Sequence, residues 1–293
     1  MSQKQPKGKN KKTAVLTMSH KGGAGKSTFA RGLLDHLRRF GVEKILAMDG
    51  QPNVGHLSNF YGLKSAQPDG SMKYDPALNR EDIFGGVLEF DARSTEIKKL
   101  GDILDMNPEF ILVDMPGGAV QEASRAFGGG LNSFVDVYKD EGFDIVVALA
   151  VNNLKASSQS LADIVKAWGT DGIRYAAVRN LGVAERDQFH FFDGHRAAEA
   201  GSPAALIKRL GGVVFDMPKL DADTYAYVDA AEVAFSDYAE NRQLAGRSDR
   251  ERMKTWLKLF DLEVYDKLGL IENYSPEAVA EFEATRKTYF TPR

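Results

Sequence analysis

Short apolar runs rich in β-branched residues recur along the chain, and each ends in a turn or in polar residues. Near-continuous apolarity of this kind is typical of strands that are buried on both faces of a parallel sheet. We therefore predict six strands, at residues 13–19, 44–49, 110–116, 144–151, 174–181 and 212–218.

Helical patterns lie between several of these strands. One follows the first strand and ends at Gly41, with the apolar residues Phe29, Leu33, Leu34 and Leu37. Another follows the fourth strand, with Leu161, Ile164, Val165 and Trp168. Because strands that alternate with helices form right-handed parallel units, the pattern predicts an α/β fold with a doubly wound, mostly parallel sheet.

The alternation of predicted strands and helices divides the chain into three parts. Residues 1–12 hold five lysines and no acidic residue, which predicts a disordered basic tail. Residues 13–220 carry the strand–helix alternation, interrupted by a long insertion at 54–109. Residues 221–293 read as a helical C-terminal extension.

Composition narrows the possible functions. The 293-residue chain is 43% hydrophobic and 27% charged, and its formal net charge is -3, so any nucleic-acid contact would need a local basic patch. Cysteine is absent, which excludes disulfides, thiolate metal sites and cysteine nucleophiles. No apolar run approaches the roughly 20 residues of a membrane span. We expect a cytoplasmic protein without an integral membrane segment.

A glycine-rich turn, K-G-G-A-G-K-S-T at residues 21–28, joins the first predicted strand to the first helix. Glycines let backbone N–H groups approach an anion, and the helix N-terminus adds its positive dipole end. We predict that ATP binds here, with Lys26 on the β- and γ-phosphates and the Ser27 hydroxyl on Mg²⁺. The predicted nucleotide contacts are Gly22, Gly23, Ala24, Gly25, Lys26, Ser27 and Thr28.

His20 stands where a strict P-loop would have its first glycine, and a second lysine, Lys21, precedes the glycines. In both respects the turn resembles the deviant Walker A box of the ParA/MinD family of ATPases. The resemblance implies that Lys21 reaches across a two-fold interface to the partner's nucleotide. It also implies ATP-dependent formation of a homodimer that hydrolysis dissolves.

Asp49, after the second predicted strand, matches the family's switch I aspartate. The resemblance implies that Asp49 orients the attacking water and touches the metal shell, which would make Lys21, Lys26 and Asp49 the catalytic residues. This chain departs from the usual D-x-D-P-Q pattern, because Ala47 replaces the first aspartate and Gly50 and Pro52 stand in exchanged order.

Asp114 ends the third predicted strand and begins the segment D-M-P-G-G. This segment resembles the family's Walker B and switch II, so Asp114 would hold a Mg²⁺-bound water and the Gly117 backbone would sense the γ-phosphate. Ser27, Asp49 and Asp114 are accordingly the predicted metal site. An aspartate at a strand end can also simply cap a neighbouring helix.

The family resemblance covers residues 13–220. It implies that adenine is bound by Asn180, after the fifth strand, and by backbone near Pro218, after the sixth. Asn180 could equally be an ordinary turn residue. The layout of residues 215–225, followed by a helical tail, looks most like the ParA-like ATPases of conjugative plasmids, the TraL/StbB type.

The segment 247–268 reads as one helix with two faces. Met253, Trp256, Leu257, Phe260 and Val264 form an apolar stripe, and Arg250, Lys254 and Lys258 recur at i, i+4 and i+8 on another face. This basic stripe is either a solvated surface or a contact with the phosphates of non-specific DNA.

Together these features predict a slow, partner-stimulated ATPase that acts in plasmid partition, plasmid transfer or cargo positioning. Its expected partners are a second copy of the chain, non-specific DNA on the nucleoid, and a protein activator or cargo adaptor. Two alternatives remain. One is a P-loop enzyme that transfers phosphate to a small-molecule acceptor, and the other is an adaptor that binds ATP and hardly hydrolyses it.

Overall fold

A computed structural model describes residues 11–19, 22–52, 54–117, 131–194 and 201–289. In this part of the chain seven strands form one sheet in the order β5-β2-β6-β1-β7-β8-β9, and every neighbouring pair is parallel. A separate antiparallel pair, β3 and β4, lies outside it. The strands are β1 (Lys12–Met18), β2 (Ile45–Asp49), β3 (Lys64–Ala66), β4 (Met72–Tyr74), β5 (Leu88–Glu89), β6 (Phe110–Asp114), β7 (Phe143–Val151), β8 (Ile173–Asn180) and β9 (Val213–Met217).

Helices cover both faces of this sheet. The described helices are α1 (Lys26–Arg39), α2 (Ser58–Tyr61), α3 (Pro76–Glu81), α4 (Lys99–Asp102), α5 (Leu131–Asp140), α6 (Lys155–Trp168), α7 (His190–Asp193), α8 (Pro203–Arg209), α9 (Ala222–Ala231), α10 (Phe235–Glu240), α11 (Arg247–Lys267) and α12 (Pro276–Tyr289). Helices α5, α6 and α8 pack in the core cluster of one face, while α1 and α9–α11 pack in that of the other. The predicted doubly wound α/β fold is confirmed.

All six predicted strands are present, and their ends fall within about two residues of the predicted bounds. The seventh strand of the sheet, β5, was not predicted. It has two residues, Leu88 and Glu89, which pair with Met48 and Asp49. A strand this short has no periodicity in the sequence, and it is defined only by its pairing with β2.

Helix α1 follows the glycine-rich turn and ends where the sequence predicts. Gly41 takes a left-handed φ of 66° just after the helix, and its N–H donates to the Arg38 carbonyl. Within the helix, Gly32 allows α11 to approach closely. A Cβ at Gly32 would lie 2.8 Å from the Phe260 ring and 2.9 Å from Trp256.

A buried polar network also joins α11 to α1. Asp261 accepts from Nη1 and Nη2 of Arg39 at 2.7 Å each, and its Oδ1 lies 2.8 Å from His36 Nδ1. The other ring nitrogen of His36 lies 2.9 Å from the Tyr274 hydroxyl. Burial lowers the pKa of His36, so the neutral ring fits this site. The C-terminal helices are thereby attached to the helix that carries the candidate phosphate site.

Among the described residues, no helix is both long enough and apolar enough to cross a membrane.

Candidate functional site

The glycine-rich turn lies at the carboxyl end of β1, where it leads into α1. Gly23 and Gly25 have left-handed φ values of 80° and 89°, which glycine adopts without strain. A Cβ added at Gly22 or Gly23 would meet no atom within 4 Å, so the backbone there faces open space. Gly25 is the N-cap and has no side chain to cap the first N–H groups of α1. The turn therefore has the form of an anion cradle at a helix N-terminus.

Lys26, Ser27 and Asp114 converge at one end of this cradle. Lys26 Nζ lies 2.6 Å from Asp114 Oδ1 and 3.1 Å from Ser27 Oγ. The same carboxylate oxygen accepts from the Thr17 hydroxyl at 2.7 Å. The Asp114 side chain is only 1% exposed, so the ammonium and hydroxyl groups are what make this buried charge tolerable. Three of the predicted site residues are thus in direct contact.

Asp49 lies beside this group, but both of its carboxylate oxygens accept hydrogen bonds from backbone N–H groups. Its Oδ1 accepts from Gln51 N at 3.0 Å, and its Oδ2 accepts from Leu57 N at 2.7 Å and from Ser58 N at 3.1 Å. Burial and the neighbouring Asp114 raise the pKa of Asp49, and these N–H groups oppose the rise. The carboxylate therefore holds the loop after β2, and its role in orienting water stays a prediction.

The predicted adenine residues occupy different surroundings. Asn180 Nδ2 donates to the Ala24 carbonyl at 3.3 Å, and a Cβ on Gly25 would lie 2.3 Å from that nitrogen. Asn180 thus packs directly behind the cradle. The Pro218 carbonyl instead accepts from Trp256 Nε1 at 2.8 Å. Both adenine contacts remain predictions.

Two further predictions concern the switches. Gly117 lies beside the cradle, and its carbonyl accepts from Arg93 Nη2 at 3.1 Å. Lys21, the predicted partner-contacting lysine, lies outside the described residues.

A cavity of about 460 Å³ opens at the cradle and is lined by Gly22 to Thr28. It extends along α1 to a second group of residues that no motif marks: Arg31, Val54, His56, Asn59, Phe60, Tyr225, Asp229 and Glu232. Sequence reasoning missed this group because its members come from three separate segments. The only available signal was that Arg31 lies one helical turn beyond Ser27, facing the same way.

Arg31 joins two of those segments. Its Nε donates to the His56 carbonyl at 2.6 Å, its Nη1 pairs with Asp229 at 3.1 Å, and its guanidinium lies 3.3 Å from the centre of the Phe60 ring. The side chain is 4% exposed, so a buried cation links the loop after β2 to helix α9.

The predicted basic stripe lies on α11, which buries its predicted apolar face. Arg250 Nη1 donates to the Ala245 carbonyl at 2.8 Å, and Lys254 Nζ lies 3.2 Å from Glu240. Lys258 is half-buried. Part of the stripe is therefore occupied by the chain's own acceptors, which weakens the field available to an external phosphate.

The residues present suit magnesium bound together with a nucleotide. Among the described residues, no three carboxylate or imidazole side chains converge as they would in a dedicated metal cage. Mg²⁺ in phosphate-transfer sites takes only one or two protein ligands and fills its shell with phosphate oxygens and water. The Ser27 hydroxyl and the Asp114 carboxylate both contact the Lys26 ammonium, and together they supply such a donor set.

The chain is similar to one curated protein in sequence and to several solved structures in fold. No family model matches the chain. It is 28% identical over 203 residues to the formate–tetrahydrofolate ligase of Methylococcus capsulatus. That match covers 64% of this chain and 33% of the relative, so the chain spans about a third of the relative's length.

Several solved structures are similar at 15% identity. A ParA family ATPase from Chlorobium tepidum TLS has a TM-score of 0.49, with 85% of this chain and 98% of that chain covered. The MinC:MinD cell division complex of Aquifex aeolicus has a TM-score of 0.45, with 83% and 95% covered. An ATP complex of McdA from Cyanothece has a TM-score of 0.39, with 86% and 97% covered. With TM-scores below 0.5 and 15% identity, these structures do not show what this chain does.

Proposed function

We propose that this chain is a switch ATPase of the ParA/MinD type that binds Mg-ATP and hydrolyses it to ADP and phosphate. The observation that carries the proposal is the uncapped glycine cradle at the start of α1, with Lys26 held 2.6 Å from Asp114 beside it. This arrangement offers backbone N–H groups and one mobile cation to a polyphosphate, which is what phosphoryl transfer requires of a protein.

The side chains then have separate tasks. Lys26 exchanges its contact with Asp114 for the phosphates, where its charge offsets theirs. Ser27 and Asp114 would hold Mg²⁺, which supplies further neutralisation of the phosphate charge. Asp49 holds the backbone of Gln51, Leu57 and Ser58 through three hydrogen bonds, and in this proposal it also orients the attacking water.

We further propose that two chains form a dimer around two nucleotides, in which Lys21 of each chain contacts the nucleotide of the other. We expect sedimentation in ATP to give a dimer, and in ADP or without nucleotide a monomer. Lys21→Ala should bind ATP with similar affinity but stay monomeric, because Lys26 serves the chain's own phosphates. Lys155→Ala, which removes an exposed lysine at the start of α6, is the matched control. Equal mass in all nucleotide states, or normal dimers of Lys21→Ala, would refute the dimer.

A second candidate is phosphoryl transfer to a small acceptor, and it is favoured by one observation, the likeness to formate–tetrahydrofolate ligase. The cavity of about 460 Å³ extends beyond the cradle to Arg31, and an acceptor would bind in that part. Phosphate release measured with and without formate and tetrahydrofolate separates the two functions. A switch ATPase turns over slowly without either compound, while an acceptor enzyme depends on them.

We also propose a role in positioning DNA or another cargo, with α11 as the DNA contact. Residues 242–258 contain six basic and two acidic side chains, a net charge of +4. A dimer would present two such surfaces, and each phosphate contact steepens the salt dependence of binding by about 0.9. We also propose a protein activator, a cargo and the plasmid-transfer subtype, and the family resemblance is the only support for these three proposals.

DNA binding across a salt series tests this role. We expect ATP to strengthen binding, and we expect Arg250→Glu, Lys254→Glu and Lys258→Glu together to weaken it at least 10-fold at low salt and flatten the slope. The matched control reverses three exposed lysines on the opposite face of the sheet, Lys155, Lys166 and Lys208. Unchanged affinity and slope in the α11 variant would leave the stripe as a solvated surface.

A further inference from the structure

Helix α9 presents one face to the cavity beside the cradle. Tyr225 and Asp229 line that cavity, and their spacing of four residues places them on one side of the helix. Glu232, which follows the last residue of α9 with a left-handed φ of 48°, lines the cavity as well. The other side is buried through Thr224 and Val228. A helix from beyond residue 220 therefore forms part of the wall of the nucleotide site.

Tyr225 reaches the cradle itself. Its hydroxyl lies 3.1 Å from Thr28 Oγ1, and Thr28 stands on the uncapped first turn of α1. Both residues line the cavity in which the phosphates would lie. A hydroxyl that accepts one hydrogen bond becomes a better donor of its own proton, because hydrogen bonds in a chain polarise one another.

Three contacts hold α9 in position for this. Asp221 caps the helix by accepting from Thr224 N at 3.1 Å. Arg31 pairs with Asp229 at 3.1 Å, and Lys64 Nζ donates to the Glu232 carbonyl at 2.6 Å. Tyr225 is thus carried on a helix that is attached to α1 and to the segment after β2.

The geometry points to Tyr225 as a positioning residue for nucleotide binding. Its hydroxyl donates to Thr28 Oγ1, which leaves the Thr28 proton free to be directed at a phosphate oxygen. This inference rests on the proposed function, because it presumes that the cradle binds a polyphosphate. It extends the nucleotide site to a residue outside the predicted core.

A double-mutant cycle tests the relay. We expect Tyr225→Phe to weaken binding of ATP, ADP and inorganic pyrophosphate about 5-fold, because the Thr28 hydroxyl loses the neighbour that polarises it and directs its proton to a phosphate oxygen. In a Thr28→Val background the same change should have an effect below about 2-fold, because the hydroxyl through which it acts is gone. Tyr227→Phe, two residues away and 57% exposed, is the matched control and should bind as the wild type does.

The outcomes are distinguishable. If Tyr225→Phe binds pyrophosphate like the wild type, or weakens binding equally with and without the Thr28 hydroxyl, the relay is refuted while the ATPase proposal stands. If the wild type itself binds none of the three ligands, both proposals fail. The ligand-free Tyr225→Phe protein should lose no more stability relative to Tyr227→Phe than the net contribution of one hydrogen bond, and a larger loss confined to Tyr225→Phe would mark a structural role and count against the relay.

Discussion

Lys26→Ala is expected to lower ATP affinity at least 100-fold and to abolish measurable hydrolysis, because the cation proposed to bind the phosphates is lost. The variant should also be less stable. Asp114 is buried and would lose its only ammonium partner among the described residues, and an unpaired buried charge costs about 3 kcal/mol or more. Isothermal titration with ATP and thermal unfolding measure the two effects.

The two effects of Lys26→Ala can be separated with a second change. Adding Asp114→Asn removes the unpaired charge while keeping an acceptor for the Thr17 hydroxyl, so it should restore most of the stability. It should not restore ATP binding. ATP affinity that survives in Lys26→Ala, or that returns with the stability, would mean that the cradle is not the nucleotide site.

Asp49→Ala is expected to bind ATP but to hydrolyse it about 100-fold more slowly, because the proposed water-positioning group, which also holds the loop after β2, is gone. Burial and Asp114 raise the pKa of Asp49, but three backbone N–H groups favour its ionised form. Its removal leaves the N–H groups of Leu57 and Ser58 without their acceptor. Single-turnover phosphate release and ATP titration distinguish a loss of chemistry from a loss of binding.

Glu89→Gln is a control for disturbance of the same loop. Glu89 lies opposite Asp49 on the neighbouring strand and accepts from the Ser58 hydroxyl at 2.6 Å, so this change alters the loop while leaving the Asp49 carboxylate and its three backbone hydrogen bonds in place. We expect it to leave hydrolysis within about 3-fold of the wild type, since an amide oxygen still accepts that bond. Normal turnover by Asp49→Ala would show that another group activates the water, and a parallel loss of ATP binding would show that Asp49 acts only through the loop.

The sequence predicted the parts of the site that are contiguous along the chain. The cradle, Lys26 and Ser27 form one uninterrupted segment between a strand and a helix, so their proximity follows from local structure. Asp49 and Asp114 were placed by the family resemblance, and the structure brings them together as direct neighbours on adjacent strands, with Asp49 opposite Asp114. Their roles at the metal stay a prediction.

What the sequence could not predict depends on contacts between distant segments. Tyr225 meets Thr28 across 197 residues, and Asp229 meets Arg31 across 198. No periodicity encodes such a meeting, since it depends on how α9 packs after the sheet has formed. The pairing of Lys254 with Glu240 is of the same kind.

By itself, therefore, the sequence determined six of the seven strands of the sheet, the helix after the cradle and the glycine-rich turn between them. Buried parallel strands need nearly continuous apolarity, and a phosphate-binding turn needs glycine followed by Lys-Ser. Both features can therefore be recognised from a short stretch of sequence. Only the tertiary structure decided the far wall of the cavity, the burial of Asp49 and the partial neutralisation of the basic stripe. Each of these depends on which side chains the packed helices bring within about 3 Å of one another, the range of a hydrogen bond.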